Sequence, residues 1–224
     1  MRTTYNFNAG WKFHRGDLEA SNYQAIHANR FKRAEWMKAG NHGVARVGYP
    51  DNAWQAVELP HDFVIEGDFQ PSANAVHGSL PTDVGWYRKT FELPEAVRDK
   101  RIHLEFDGIY RDATVWVNGH LAGRHLSGYT SFSLDITELC LRDACNSIAV
   151  RCDAREFELW SYEGGGIYRG VRLIATEAVF VPYSGTCVRS HFPQKNDLSV
   201  VQLHLSAAIK NTEDHRVSGV IDFT

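Results

Sequence analysis

The stretch that decides the fold runs from Glu158 to Leu173 and reads Glu-Leu-Trp-Ser-Tyr-Glu-Gly-Gly-Gly-Ile-Tyr-Arg-Gly-Val-Arg-Leu. Three consecutive glycines, Gly164 to Gly166, permit positive φ and close approach of neighbouring backbone, at an entropic cost that an ordinary loop avoids. After them, Ile167, Val171 and Leu173 can share one face of a strand. The stretch therefore predicts a tight, shaped loop that is anchored by a buried strand.

Polar and aromatic residues precede the glycines, and this loop would present them at a surface. Trp160 and Tyr162 supply rings, and Glu158 supplies a carboxylate. The C–H groups of a sugar stack on such rings, and its hydroxyls need acceptors. We interpret the loop as one wall of a carbohydrate site.

Short segments of period-two alternation follow one another from Gly85 onward and are separated by turns. Such segments predict strands, and Asn118-Gly119 is a strong signal for a hairpin turn between two of them. Their apolar members are listed here by segment: Tyr87, Phe91 and Leu93; Ile102, Leu104 and Phe106; Phe132, Leu134 and Ile136; Ile148, Val150 and Cys152. This organisation predicts an all-β protein built as an antiparallel sandwich.

The bulk composition excludes several classes of protein. The chain has 224 residues, of which 43% are hydrophobic and 23% charged, and this balance argues against disorder. A formal net charge of −3 favours neither nucleic acid nor an acidic membrane as a partner. No apolar run approaches the roughly 20 residues that span a bilayer, and the first residues lack the apolar core of a signal peptide. We expect a cytoplasmic protein.

Metal and cofactor chemistry are not predicted. The four cysteines, Cys140, Cys145, Cys152 and Cys187, lack the paired spacing of metal ligands, and no run of oxygen ligands demands Ca²⁺. The Gly164–Gly166 run leads into a strand rather than a helix, which excludes a dinucleotide fingerprint. We expect no metal and no cofactor.

Several motifs resemble, in order, the N-terminal sugar-binding domain of glycoside hydrolase family 2, the β-galactosidase, β-glucuronidase and β-mannosidase family. Glu163-Gly-Gly-Gly-Ile-Tyr-Arg169 resembles the signature that closes this domain. The preceding motifs are Phe7–Phe13, Leu59-Pro-His-Asp62, Gly85–Phe91, Phe106-Asp-Gly108, Val115–Gly119 and Gly128–Phe132. The resemblance therefore covers residues 7 to 173.

The resemblance implies the domain organisation. It predicts a jelly-roll, galactose-binding-domain-like β-sandwich over residues 1–182, followed by the start of an immunoglobulin-like β-sandwich over residues 183–224. About 40 residues cannot complete a sandwich that normally takes roughly 100, so we expect a fragment of a longer enzyme. Residues 18–48 depart from the family pattern, and within them residues 28–40 predict a short helix.

The family hydrolyses terminal β-glycosides with retention, through two carboxylates on a C-terminal TIM barrel. The acid/base glutamate of the family follows an asparagine, and no Asn-Glu dipeptide occurs here. We therefore expect no catalytic residue in this chain and no activity of the fragment alone. Its expected partners are carbohydrate and the barrel of the same polypeptide, and the resemblance also implies possible self-association.

The resemblance assigns sugar contacts to two loops. The carboxylate that a β-galactosidase places just upstream of its closing signature corresponds to Glu158, with Trp160 beside it. The asparagine that such enzymes place before the Gly-aromatic-Tyr strand corresponds to Thr82, with Asp83 next to it. Asp62 could polarise His61 for catalysis, but we interpret it as closing a turn.

Three functions remain open from the sequence. β-Galactosidase is favoured because Glu163–Arg169 and His77-Gly-Ser-Leu-Pro81 resemble that branch most. The alternatives are a stand-alone lectin-like protein without catalysis, and an interaction scaffold without affinity for sugar. The coding frame beyond Thr224 discriminates between the enzyme and the lectin-like protein, and calorimetric titration with galactose, glucuronate and mannose addresses the scaffold.

Overall fold

The computed structural model describes residues 2–18, 43–75, 78–156, 163–193 and 199–220. Its residues form two compact units, Thr4–Ala175 and, together with the first three residues, Thr176–Thr224. The described strands, in chain order, are β1 Thr3–Asn6, β2 Trp11–Arg15, β3 Gln55–Val57, β4 Val84–Phe91, β5 Arg101–Phe106, β6 Ala113–Val117, β7 His120–His125, β8 Phe132–Asp135, β9 Asn146–Asp153, β10 Val171–Thr176, β11 Val179–Phe180, β12 Thr186–His191, β13 Gln202–Ala207 and β14 Lys210–Asn211. Two 3₁₀ turns, Gly43–Ala45 and Glu95–Val97, are the described helices. The all-β prediction is confirmed.

The larger unit is a sandwich of two sheets. The six-stranded sheet has the order β3-β2-β4-β9-β6-β7 and is antiparallel throughout. The second sheet has the order β1-β10-β5-β8. A single hydrophobic cluster contains Val115 and Val150 from the first sheet and Leu104 and Leu173 from the second. The core of this unit therefore lies between the two sheets.

The outer face of the six-stranded sheet is also covered. Trp86 and Trp116 stack there with ring centroids 5.6 Å apart, and they pack with Val44 and Ala149. The segment that follows residue 42 thus closes a second apolar cluster over the sheet. Trp116 is 4% exposed, in agreement with a packing role rather than that of a sugar platform.

The predicted hairpin at Asn118-Gly119 is confirmed. Asn118 has φ +50° and Gly119 has φ +80°, and β6 and β7 pair on either side of them. Two successive positive φ values are what a type I′ turn requires, and Asn-Gly satisfies it with least strain.

Residues 5 to 14 form parts of two strands that belong to different sheets. Gly10, with φ +72°, lies between β1 and β2. The Phe7 amide donates to the Val171 carbonyl, whereas Lys12 pairs with Arg88. The segment therefore divides between the two sheets at Gly10, where the backbone adopts a positive φ.

The smaller unit contains two two-stranded sheets, β11–β14 and β12–β13, both antiparallel. The larger compact unit ends at Ala175. The domain boundary after residue 182 stays a prediction. The helix expected over residues 28–40 falls outside the described residues.

Candidate functional site

The three glycines of the closing signature lie against other parts of the larger unit with no room for side chains. A Cβ atom on Gly164 would lie 1.9 Å from Asp62 Oδ2, and one on Gly165 would lie 2.7 Å from Val64 Cγ2. Gly166 has φ +115° and would place a Cβ atom 2.2 Å from the Tyr87 hydroxyl. The predicted close approach and positive φ are both present. We call Glu163–Gly166 the glycine loop.

Backbone hydrogen bonds hold the glycine loop on two sides. Gly166 and Tyr110 exchange a pair of bonds of 2.9 and 2.7 Å. On the other side, the Phe63 amide donates to the Gly165 carbonyl over 2.9 Å, and the His61 amide donates to Ile167 over 2.9 Å. The loop is therefore built into the sandwich as an irregular continuation of its pairing.

His61 is buried between two partners. Its Nδ1 lies 2.7 Å from the Tyr87 hydroxyl oxygen, and its Nε2 lies 3.1 Å from Glu66 Oε1. Burial lowers the pKa of His61, although the Glu66 carboxylate acts in the opposite direction. Burial also raises the pKa of Tyr87 well above its usual value. Within the fold, Nδ1 is thus hydrogen-bonded and Nε2 lies at ion-pair distance from Glu66.

Asp62 binds backbone amides. Its Oδ1 accepts hydrogen bonds from the Val64 amide at 3.0 Å and from the Gly165 amide at 2.9 Å. The first bond closes the turn expected for this motif. The second reaches the glycine loop, which sequence reasoning did not anticipate. Asp62 therefore orients backbone, while His61 Nδ1 and Nε2 face Tyr87 and Glu66.

Thr82 and Asp83 lie half-buried at the start of β4. Asp83 Oδ1 accepts a bond of 2.7 Å from the Val84 amide, and its carbonyl accepts one of 3.0 Å from the Ala154 amide. The structure thus places the predicted pair directly beside the end of β9. The other two predicted sugar contacts, Glu158 and Trp160, lie outside the described residues.

A chain of ion pairs surrounds this end of β9. Arg151 donates hydrogen bonds to Asp17 at 2.6 Å and to Asp153 at 3.2 Å. Arg155 donates to both carboxylate oxygens of Asp153, at 2.8 and 2.5 Å. Burial alone would raise the pKa of Asp153, but bonds from Arg155 and the charge of Arg151 lower it. Sequence reasoning missed this network. The available signal was the alternation of acidic and basic residues where the predicted strand ends.

Together these residues form two anchors within the larger unit. One anchor is the end of β9 beside Asp83, and the other is the glycine loop beside Asp62. Residues 157–162 connect the two in the chain. Polar groups that are held in place at the two anchors can offer hydrogen bonds to a sugar.

Among the residues that the structure describes, one group has metal-ligand atoms within 4.8 Å of one another: Glu213, Asp214 and His215. All three are exposed in a turn of the smaller unit and lie outside the site described above. In the same described ranges, no helix has the length and apolar character needed to cross a membrane.

Comparison with known proteins places this fold in a family. The family model for the glycosyl hydrolase 2 galactose-binding domain-like domain matches residues 78–160. β-Galactosidase BoGH2A of Bacteroides ovatus is 38% identical over 219 residues, which cover 95% of this chain and 22% of that protein. A β-glucuronidase of Formosa agariphila is 28% identical over 188 residues, covering 77% of this chain and 17% of that protein.

Solved structures agree with these relatives. The crystal structure of a β-glycosidase from Bacteroides vulgatus is 33% identical, with a TM-score of 0.76, and the match covers 95% of this chain and 25% of that one. The chain spans about a quarter or less of the length of these relatives. The chain belongs to glycoside hydrolase family 2, in which it corresponds to the N-terminal β-sandwich with the galactose-binding-like domain.

Proposed function

We propose that this chain is the N-terminal sugar-binding region of a retaining exo-β-glycosidase that hydrolyses terminal β-galactosides. The observation that carries the proposal is the similarity to a β-galactosidase, which extends over almost the whole chain. The resemblance of Glu163–Arg169 to the β-galactosidase form of the closing signature supports the same sugar.

The two anchors that flank residues 157–162 support a role in binding. We propose that Glu158 accepts hydrogen bonds from sugar hydroxyls and that Trp160 offers a stacking face. Thr82 and Asp83, at the start of β4, would complete the same rim from the neighbouring strand. Their position beside the end of β9 supports this grouping.

Catalysis is assigned to a barrel domain of the same polypeptide. A retaining mechanism needs an acid/base carboxyl group and a nucleophilic carboxylate about 5–5.5 Å apart. We place neither of them in this chain. The proposed partners are therefore terminal β-glycosides and the catalytic barrel.

The test begins with the coding frame beyond Thr224, where an immunoglobulin-like domain and a barrel containing Asn-Glu are expected. The full-length protein is then assayed with p-nitrophenyl β-galactoside, β-glucuronide and β-mannoside. We expect kcat/KM for the galactoside to exceed the others by at least about 100-fold, roughly 2.7 kcal/mol of transition-state discrimination. Proton NMR of the first product should show the β anomer.

Two results would contradict the proposal in different ways. A higher kcat/KM for the glucuronide than for the galactoside would agree with the enzyme class but contradict galactose as its sugar. A stop codon soon after Thr224, with galactose binding but no hydrolysis, would instead support the lectin-like alternative.

A further inference from the structure

The carboxylate of Asp62 joins two segments that lie 103 residues apart in the chain. Its Oδ1 accepts the amides of both Val64 and Gly165, and its Oδ2 fills the space where Gly164 would otherwise carry a Cβ atom. Hydrogen bonds from amides to a carboxylate are stronger than bonds between neutral groups. Asp62 therefore fixes the glycine loop both by bonding and by occupying space.

The glycine loop is joined directly to the residues that are proposed to bind sugar. Glu163 follows Tyr162, and the segment 157–162 begins three residues after Ala154, whose amide is bound to Asp83. Fixing the residues that flank a binding segment lowers the entropic cost of binding a ligand. The upstream end is held by strand pairing and ion pairs, and the downstream end is held in part by Asp62.

We propose that Asp62 is a positioning residue for sugar binding: it acts through the glycine loop on residues 157–162 and does not itself contact the sugar. The proposal rests on the proposed function of that segment. The bond between Asp62 and the Val64 amide alone would indicate an ordinary turn. The proposal adds that the Asp62 carboxylate contributes to substrate affinity.

The test uses Asp62→Ala in the full-length protein, with two readouts. Hydrogen exchange of a peptide covering residues 163–167 reports the glycine loop, and steady-state kinetics with the preferred glycoside report binding. We expect the amide exchange rate of this peptide to rise about tenfold or more. We also expect KM to rise about tenfold with kcat changed less than about twofold, since uniform binding is lost.

Two further variants separate positioning from general damage. Asp62→Asn keeps the Oδ1 acceptor and should restore KM to within about threefold of the parent. Gly164→Ala introduces a Cβ atom where Asp62 Oδ2 lies and should raise KM as Asp62→Ala does. It thereby tests the same contact if Asp62→Ala fails to fold.

Asp135→Ala is the matched control. Asp135 Oδ1 accepts the amide of Thr137, two residues on, as Asp62 accepts that of Val64, and its other partners are Thr137 and Arg101. This variant should lose stability but leave KM and the exchange of residues 163–167 unchanged.

The outcomes distinguish the two proposals. Unchanged exchange in Asp62→Ala would overturn the positioning role whatever the activity. Faster exchange with unchanged KM would show that the glycine loop does not serve binding, and would also overturn it. A full-length protein that hydrolyses none of the glycosides would contradict the proposed function, and faster exchange in its Asp62→Ala variant would show that the contact itself exists.

Discussion

At the scale of single residues, Gly164 is the position in the glycine loop with least space for a side chain. The nearest atom to an added Cβ would be Asp62 Oδ2, at 1.9 Å. That oxygen belongs to a carboxylate whose Oδ1 accepts hydrogen bonds from two backbone amides, and these bonds oppose its displacement. The constraint is steric and does not arise from a positive φ at this glycine.

Gly164→Ala should therefore destabilise the larger unit by about 1–3 kcal/mol, the usual cost of overpacking. The measurement is urea denaturation followed by tryptophan fluorescence. All six tryptophans precede residue 176, so their emission reports the larger unit. Gly48→Ala is the control, because an added Cβ atom there meets nothing within 4 Å, and it should shift stability by less than about 0.5 kcal/mol. Equal losses in the two variants would contradict the steric explanation.

At the scale of elements, β4 is the strand that contributes side chains to both apolar clusters of the larger unit. Tyr87 and Phe91 belong to the core between the sheets, and Trp86 belongs to the cluster on the outer face. Arg88, also on β4, is 2% exposed. Its guanidinium binds Asp51 at 2.9 Å, the carbonyl of Val44, and the carbonyl of Val47 at 3.3 Å. One buried cation therefore fastens the segment that covers the outer face.

The charge balance around Asp51 explains why this arrangement is stable. Burial alone would raise the pKa of Asp51, but hydrogen bonds from Lys12 and Arg88 lower it. Arg88→Ala should cost about 3 kcal/mol, the lower end for breaking a buried pair, because Lys12 still faces Asp51 at 2.6 Å. Urea denaturation measures the loss, and hydrogen exchange should rise first over residues 43–54.

Arg98→Ala is the comparison for this prediction. Its pair with Asp143 is 38% and 79% exposed, so its loss should cost less than about 1 kcal/mol. If both arginine variants lost the same stability, Arg88 would not have the fastening role that its contacts indicate.

At the scale of the whole molecule, several carboxylates in the larger unit are held in their charged form by partners. Asp135 is the strongest case: burial would raise its pKa, but hydrogen bonds from Thr137 and Arg101 lower it to about 2. Partners lower the pKa of Asp51 and Asp153 in the same way. Burial lowers the pKa of His61, so its protonation also disfavours the folded state.

These shifts predict that the larger unit loses stability as the pH falls. A group with a lowered pKa in the folded state stabilises that state above its unfolded pKa and ceases to do so as the pH falls through the folded value. For Asp135 that window runs from about 4, the unfolded value, to about 2. The loss should begin near pH 6.5 through His61 and become steepest between about 4 and 2. Urea denaturation at a series of pH values measures it.

Asp135→Asn provides the control for the acidic window. The variant should have a lower free energy of unfolding than the parent at pH 7. The difference should vanish near pH 2, so the plots of unfolding free energy against pH converge. Parallel curves would mean that Asp135 contributes nothing to the acid dependence.

The sequence by itself determined the fold class, the hairpin at Asn118-Gly119 and the family, and it indicated that the glycines at 164–166 serve close packing. These features are local: alternation of period two and the φ requirement of a turn depend on residues adjacent in the chain. Tertiary structure alone decided that the opening segment divides at Gly10 between two sheets. It also decided that Arg88 is buried beneath residues 43–54 and that Asp62 reaches Gly165. Such contacts join residues tens of positions apart, and only folding of the sheets brings their atoms within bonding distance.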